Sequence, residues 1–369
     1  MPIYQREIRK RIEEKLFQGK IIVVLGPRQS GKTTLSKAII EPFKEKGQYF
    51  NCELLDIRNH LVPRQPELLY QKVKDYKIVV LDEAQTVENI GLILKNFTDT
   101  YPQIQIIATG SSSFDLANKI NEPMTGRTYE FMLYPLSYKE IDSENLNDML
   151  TFGMYPGIVS ANLNDKLDRL QNIATNYLYK DIFNFEQIRK PVVFEKLAIT
   201  LAREVGSQIS TDRLAKILDT NKATIERYIA LLEQAFIVKR LYSFSRNLTS
   251  EIKKSYKIYF LDLGLRNVLA QDVISPEIRK DNGKIFENFF IIERLKFMQN
   301  NGHYPSHYFW RTYDKNEIDL VELNEGNIKA FECKFSKENK TSSLHKFILI
   351  YKEAKTHLVN KENLAEFLK

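Results

Sequence analysis

KIIVVLGPRQSGKTT, residues 20–34, decides how the first third of this chain is read. Ile21–Leu25 is short, β-branched and closed by Gly26, the pattern of a strand buried on both faces. Gly26, Pro27, Arg28, Gln29, Ser30, Gly31, Lys32, Thr33 and Thr34 then fill the spacing G-x-x-x-x-G-K-[ST] and open TLSKAII, which continues at helical spacing. Strand, glycine loop and helix are the context in which that spacing has a mechanism. The glycines let backbone N–H groups curl around a phosphate at a helix N-terminus. Lys32 is expected at the β- and γ-phosphates, and the Thr33 hydroxyl on Mg²⁺. ATP and Mg²⁺ are therefore the expected cofactors, held by residues 26–34.

A second apolar run, KIVVLDEAQ at 77–85, ends in adjacent acids. In phosphate-loop enzymes the Asp at such a strand tip holds Mg²⁺, which assigns Asp82. Glu83 is placed to orient and activate the attacking water, and the Asp-Glu pair favours ATP over GTP. A third run, IQIIATGSSS at 104–113, ends where ATPases set a polar sensor. Ser111 or Thr109 fills that role, or the segment is an ordinary strand-to-loop turn. Arg127, in MTGRTYEFMLYPLSY at 124–138, and Arg28, inside the loop, are the candidates for stabilising transition-state charge. Either arginine could instead make a structural ion pair. Arg127 acting in trans requires a ring or dimer; acting in cis, a monomer suffices. Residues near Ile3–Arg6 are candidates for the adenine pocket.

GPRQSGKTTL, VVLDEAQ, IIATGSSSFDL, GRTYEFMLYPLS and GMYPGIV occur in this order, and YLYKDIFNFEQIRK follows at 177–190. Order and wording resemble the AAA-type ATPases that carry a C-terminal domain of unknown function, over nearly the whole chain. The resemblance implies ATP binding, with Lys32, Thr33, Asp82 and Glu83 in the roles above.

From about 139 to 205 the pattern is helical, with a Gly-Pro-rich turn at 153–157 read as a hinge or lid element. Residues 206–262 order as a helix capped by Ser210 or Thr211, a turn, a second helix, and two strands around a polar loop. That is the order of a winged helix-turn-helix. Lys222, Thr224 and Arg227 fall on the exposed face of its second helix. Lys239, Arg240, Arg246, Lys253, Lys254 and Lys257 stand against Glu251 alone, a balance suited to phosphate contacts. Lys222, Arg227, Lys239, Arg240, Arg246, Lys253 and Lys254 are the nucleic-acid candidates. The competing reading is a packing module or a protein dock.

NEIDLVELNEGNIKAFECKFS, residues 316–336, reads as two strands around an Asn-Glu-Gly turn. Alternation puts Ala330, Glu332 and Lys334 on one face and Phe331, Cys333 and Phe335 on the other. An amphipathic helix, 283–298, precedes it, with Phe286, Phe289 or Phe290, and Leu295 inward. This arrangement resembles the PD-(D/E)XK nuclease superfamily. The resemblance implies Asp319 and Glu332 as Mg²⁺ ligands, the Cys333 carbonyl as a third oxygen, Lys334 beside the attacking water, and Glu287 as an extra acid. Such folds either cut or only bind.

The fold expected is α/β: a P-loop NTPase core with a parallel sheet at 1–142, a helical lid at 143–205, a winged helix-turn-helix at 206–272 and a nuclease-like α/β domain at 273–369. The composition, 43% hydrophobic and 27% charged over 369 residues, is that of a globular chain long enough for several cores. No apolar run approaches the roughly 18 residues of a membrane helix, and MPIYQREIRKRIEEK lacks the apolar stretch of a signal peptide. Two distant cysteines, Cys52 and Cys333, fit a reducing cytoplasm. A net charge of +7 permits a polyanionic partner without requiring one. ATP and ADP are the expected small-molecule partners, with DNA or a protein as the macromolecular one.

Overall fold

The computed structural model describes residues 4–110, 126–141, 145–175, 190–244, 255–312, 316–336 and 342–369, with residues 188 and 314. The chain divides into two compact units, 1–136 with 234–236, and 137–233 with 237–369.

The first unit is built on five strands: β1 (Ile21–Leu25), β2 (Gly47–Asn51), β3 (Ile78–Asp82), β4 (Gln105–Gly110) and β5 (Thr128–Met132). They run in the order β2-β3-β4-β1-β5, and all their pairings are parallel. Every residue of β1, β3 and β4 is buried. That explains why these strands read as unbroken apolar runs: helices cover both faces of a parallel sheet. Ile22, Val24, Ile78, Val80 and Ile107 pack with Leu35 and Ile39 of the helix Lys32–Ile40 and with Ile8 and Ile12 of the helix Ile8–Glu13. Each such side chain contributes roughly 1.5–3 kcal/mol when fully buried. Because the strands are parallel, the C-terminal tips of β1, β3 and β4 end on one edge of the sheet. The phosphate loop, Asp82 and Thr109 meet there.

The second unit carries one mixed sheet of six strands. These are β6 (Val238–Ser243), β7 (Tyr256–Phe260), β8 (Ser306–Arg311), β9 (Glu317–Asn324), β10 (Asn327–Cys333) and β11 (Lys355–Val359), in the order β11-β10-β9-β8-β6-β7. The expected wing strands and the expected nuclease-like strands thus share a sheet, joined where β6 pairs β8 in parallel through Tyr242–Tyr308 and Ser243–Phe309. Thr211–Ile217 and Lys222–Gln234 form the two helices before the β6–β7 hairpin, and Ser210 caps the first by accepting from the Arg213 amide at 3.3 Å.

The helix Asn282–Asn300 departs from the amphipathic reading. It buries Phe286, Phe289, Phe290, Ile291 and Leu295, and also Glu293, Arg294 and Lys296. A helix buried all round is a core element, and its charges must be paired inside. Glu293 pairs with Lys296 at 2.7 Å, and Arg294 grips Glu322 at 2.8 and 3.0 Å. Against the sheet, Phe290 meets Phe331 at 5.4 Å between ring centres. Trp310, Ile318, Val321 and Ala330 form a separate core with Phe347 of the helix Ser342–Ile350.

The Gly-Pro turn is not a free hinge. Gly153 has φ +75°, and a Cβ there would stand 2.1 Å from Asp262 Oδ1. Asp262 accepts from the Met154 amide at 2.7 Å and from the Leu265 amide at 3.1 Å, capping the helix Leu263–Ala270. The glycine lets the turn dock against that cap.

Candidate functional site

The sequence of the phosphate loop imposes unusual backbone. Gln29 has φ +60° and Gly31 φ +97°, the latter as the N-cap of the helix Lys32–Ile40. Gly26 lies so close to the strand leaving β5 that a Cβ would sit 2.1 Å from the Leu133 carbonyl oxygen. No other residue fits at Gly26 without moving that strand.

Lys32 is 5% exposed, and its Nζ donates to the carbonyls of Gly26 and Pro27, each at 2.9 Å. Burial, helped by the Arg28 cation and opposed by Glu83 and Asp82, pushes its pKa down to about 8. Ser30 is fully buried, and its Oγ has no partner among the described residues. Arg28, Gln29 and Thr34 are exposed. Arg6 donates to the Ser30 carbonyl at 2.6 Å and to the Tyr134 carbonyl at 2.7 Å, so it reaches the loop, while Ile3 lies outside the described residues.

Asp82 is 3% exposed and is surrounded by hydroxyls. Thr33 Oγ1 donates to Oδ2 at 2.7 Å, Tyr49 Oη to the same oxygen at 2.5 Å, and Thr109 Oγ1 to Oδ1. The Tyr49 phenol is raised above its ordinary pKa by burial and by its bond to Asp82. Glu83 follows in the left-handed region, φ +53° and ψ +41°. Its amide donates to Thr109 Oγ1 at 3.2 Å, and its carboxylate accepts from Gln85 Nε2. Cys52, fully buried beside β3, has its thiol pushed up to about 12 by burial and by Asp82, so it stays protonated and inert.

These donors suit a nucleotide with Mg²⁺. Hard oxygens from Thr33 and Asp82 stand together, a buried ammonium lies in the loop, and Ser30 Oγ is orphaned at the same place.

Of the residues named from sequence, Lys32, Thr33, Asp82, Glu83 and Thr109 converge on this edge. Ser111 lies outside the described residues. Arg127 goes elsewhere. It precedes β5, whose Thr128 pairs with Ile21 at the start of β1, so it sits at the opposite end of the strands from the loop. There Nε pairs with Asp99 at 2.8 Å. A role in cis at the γ-phosphate does not fit that position. Tyr49 and Gln85 were not anticipated. Tyr49 alternates with Phe50 in a half-polar strand, and only the β2–β3 pairing reveals its reach; Gln85 was within the quoted motif.

The C-terminal acids are held differently. Lys257, counted among the wing cations from sequence, is 2% exposed and lies inside the second unit. Its Nζ is 3.0 Å from Glu287 Oε1 and is also bonded to Glu317 Oε1. Although burial opposes its charge, Glu287, Asp319 and Glu317 raise its pKa above the ordinary value. Tyr259 Oη donates to the same Glu287 oxygen at 2.5 Å. Asp319 Oδ2 accepts from the Cys333 amide at 2.7 Å, and burial together with Glu287 lifts its carboxyl well above the usual range. The β9–β10 register ends at Leu320 with Phe331, just before Asp319 and Glu332. Glu332 pairs with Lys334 at 3.1 Å. Among the described residues, no group of three or more His, Cys, Asp or Glu side chains is arranged to hold a metal ion.

On the helix pair Lys222 lies 3.2 Å from Asp212 and Arg227 is exposed; on β6, Lys239 lies 3.6 Å from Glu233. Arg240 does not face outward. It bonds Glu233 at 2.7 Å, approaches Glu226 at 3.7 Å and covers the Tyr256 ring at 5.7 Å. Arg246, Lys253 and Lys254 lie outside the described residues. No helix among the described residues is long and apolar enough to cross a membrane.

Comparison with known proteins divides the chain into three matched segments. Residues 18–142 match the family model described as an AAA domain, which supports an AAA-type ATPase. Residues 143–274 and 282–367 match two families described as domains of unknown function, DUF8612 and DUF4143. A Mycobacterium tuberculosis protein called "Uncharacterized protein Rv2008c" is 27% identical over 339 residues, covering 90% of this chain and 74% of the relative. An uncharacterized Haemophilus influenzae protein is 25% identical over 291 residues, covering 70% and 72%. AMPPCP-bound DnaA from Aquifex aeolicus covers 62% of this chain and 86% of its own at 17% identity, with a TM-score of 0.30. The RuvB branch-migration motor of Thermotoga maritima covers 64% and 90% at 13% identity, with a TM-score of 0.31. Likenesses that loose decide neither partner nor mechanism.

Proposed function

We propose that the chain is a Mg²⁺-dependent ATPase whose nucleotide state governs its grip on nucleic acid. The observation that carries the ATPase reading is the hydroxyl-bound carboxylate at Asp82, set 2.7 Å from Thr33 behind a buried loop lysine. With ATP present, Lys32 leaves the Gly26 and Pro27 carbonyls for the phosphates, and Thr33 turns from Asp82 toward the cation. Tyr49 and Thr109 keep Asp82 oriented through that exchange. Glu83 orients the attacking water and takes its proton. Thr33 and Asp82 would hold Mg²⁺, which would supply the positive charge needed against the phosphate oxygens in the transition state.

The test is nucleotide binding and phosphate release on the full chain. Lys32→Ala is expected to lose ATP binding. Unimpaired binding in that variant removes the assignment.

The nucleic-acid reading rests on Lys222, Arg227 and Lys239, exposed on and beside the helix Lys222–Gln234. Their acidic neighbours do not forbid it, since exposed ion pairs hold only about 0–1 kcal/mol. Binding is expected to weaken steeply with salt, and Lys222→Ala with Arg227→Ala to lower the salt slope. Affinity indifferent to salt and to both substitutions replaces the nucleic acid with a protein docked on the helix pair.

A further inference from the structure

We infer that the carboxylates at the centre of the second unit are committed to an internal ammonium, Lys257, in place of a divalent metal. The nuclease-like arrangement therefore neither takes up Mg²⁺ nor cuts. The inference concerns the second unit alone and stands whether or not the first hydrolyses ATP.

The argument is an inventory of charge and lone pairs. Glu287, Asp319 and Glu332 were the candidates to surround a metal, Glu317 stands beside them on Lys257, and each already has a partner. Glu287 Oε1 is shared by Lys257 Nζ at 3.0 Å and Tyr259 Oη at 2.5 Å. Glu317 takes Lys257 on one oxygen and stands 3.5 Å from Arg311 Nε on the other. Asp319 Oδ2 is occupied by the Cys333 amide, and Glu332 Oε1 by Lys334. Glu332 Oε2 is buried without a partner among the described residues, and Asp319 and Glu287 each make their hydrogen bonds through one oxygen. What opposes an octahedral ion is the enclosed ammonium among these oxygens, not a shortage of oxygens.

Lys257 cannot easily give way. At 2% exposure it is enclosed, and the Phe309 ring covers it at 5.4 Å. An entering Mg²⁺ has to lose water, displace this ammonium and the Tyr259 hydroxyl, and leave a second cation nearby at Lys334. Magnesium dehydrates reluctantly and demands near-ideal geometry, so the exchange is unfavourable. The ammonium already supplies the positive charge that the carboxylates need in a buried place. What remains is a centre of acids gathered around an internal ammonium, able to support a binding surface.

The deciding experiment titrates Mn²⁺ into the nucleotide-free full chain carrying Asp82→Asn, which keeps the phosphate-loop site out of the measurement. Free Mn²⁺ is read by its paramagnetic resonance. The expected result is no stoichiometric site, and a melting temperature that does not respond to Mg²⁺ against chelator. Lys257→Met in the same background is expected to gain one Mn²⁺, with affinity raised more than about tenfold, and to lose it again when Asp319→Asn is added. One Mn²⁺ bound without the Lys257 change, and abolished by Asp319→Asn or Glu332→Gln, overturns the inference. So does Mg²⁺-dependent cutting of plasmid DNA by the wild-type chain that Glu332→Gln abolishes. Should Lys257→Met fail to fold, the titration without that change and the cleavage assay still decide between the two outcomes.

Discussion

Two buried clusters of acids in this chain are solved by opposite means. At the tip of β3, Asp82 and Glu83 are held by neutral donors: Thr33, Tyr49, Thr109 and Gln85. In the second unit, Glu287, Glu317 and Glu332 are held by Lys257 and Lys334. A hydroxyl or amide fixes a carboxylate's direction and leaves its charge available to an incoming cation. An ammonium fixes the direction and cancels the charge. The first arrangement is poised for a metal and the second is already complete, although both looked like metal sites in sequence.

The largest effect expected is on turnover. Glu83→Gln removes the group that takes the water's proton, a step that contributes typically about 10²–10⁴-fold. ATP affinity should persist because Asp82, Thr33 and Lys32 are untouched. Phosphate release in the variant against wild type measures it, and unchanged turnover moves the role away from Glu83.

Next in size is stability in the other cluster. Lys257→Met leaves Glu287, at 12% side-chain exposure, without its ammonium, and breaking one side of a buried pair costs about 3–5 kcal/mol. Denaturant unfolding reads this. A loss below about 1 kcal/mol would mean that solvent already screens the pair, and the contrast between the two clusters would fail.

The third prediction uses pH. The ordinary pKa of a lysine is 10.5, and that of Lys32 in the folded chain is lowered to about 8. The cost of burying its charge is present in full below pH 8 and is relieved as pH rises from 8 toward 10.5, because the unfolded chain binds more protons across that window. ATP returns the charge to the lysine, so binding takes up a proton above pH 8. Affinity should then fall with pH by up to about tenfold per unit. Lys32→Arg, always charged, should show no such limb. A flat wild-type profile from pH 7 to 9.5 breaks the argument.

How much of this was legible depends on whether the partners are neighbours in sequence. Gly26–Thr34 and Asp82-Glu83 are contiguous, and strand burial reads directly from their apolar runs. Tyr49 reaches Asp82 only because β2 lies beside β3, a pairing that leaves no local signal. Lys257 was grouped with wing cations because it follows Lys253 and Lys254 in sequence. Its true neighbours, Glu287 and Glu317, are thirty and sixty residues on. The six-stranded sheet was missed for the same reason, since β6 meets β8 through two residue pairs far apart in the chain. Arg127 is a different failure. It was judged by its glycine and its order in the motif series, yet a residue that starts a strand parallel to β1 must lie away from the end of β1.

Smaller effects separate orientation from charge at the first site. Tyr49→Phe removes one of three hydroxyl donors to Asp82 and leaves the carboxylate charged. Loss of one hydrogen bond to a charged group is typically about 1.5–3 kcal/mol, less where other donors remain. Outer partners of metal ligands commonly change metal affinity by about 10–100-fold. Because Thr33 leaves Asp82 for the cation, Thr109 alone then orients the carboxylate, which sets the change toward the upper part of that range. The expected signature is a higher Mg²⁺ requirement, with turnover restored at saturating Mg²⁺. Turnover lost at every Mg²⁺ concentration would place the Tyr49 hydroxyl in the chemistry itself.

The smallest effect belongs to Arg127. Its exposed pair with Asp99 lies at the far end of the strands, so Arg127→Ala should leave ATP binding and turnover of an isolated chain unchanged. The same variant tests assembly. If turnover rises with protein concentration in wild type and that rise disappears in Arg127→Ala, the arginine serves a neighbouring copy, and the first site is complete only in an oligomer. If neither variant responds to concentration, the hydroxyl-held acids and Lys32 carry the reaction within one chain, and Arg127 does no more than pin β5 to the helix Ile90–Thr100.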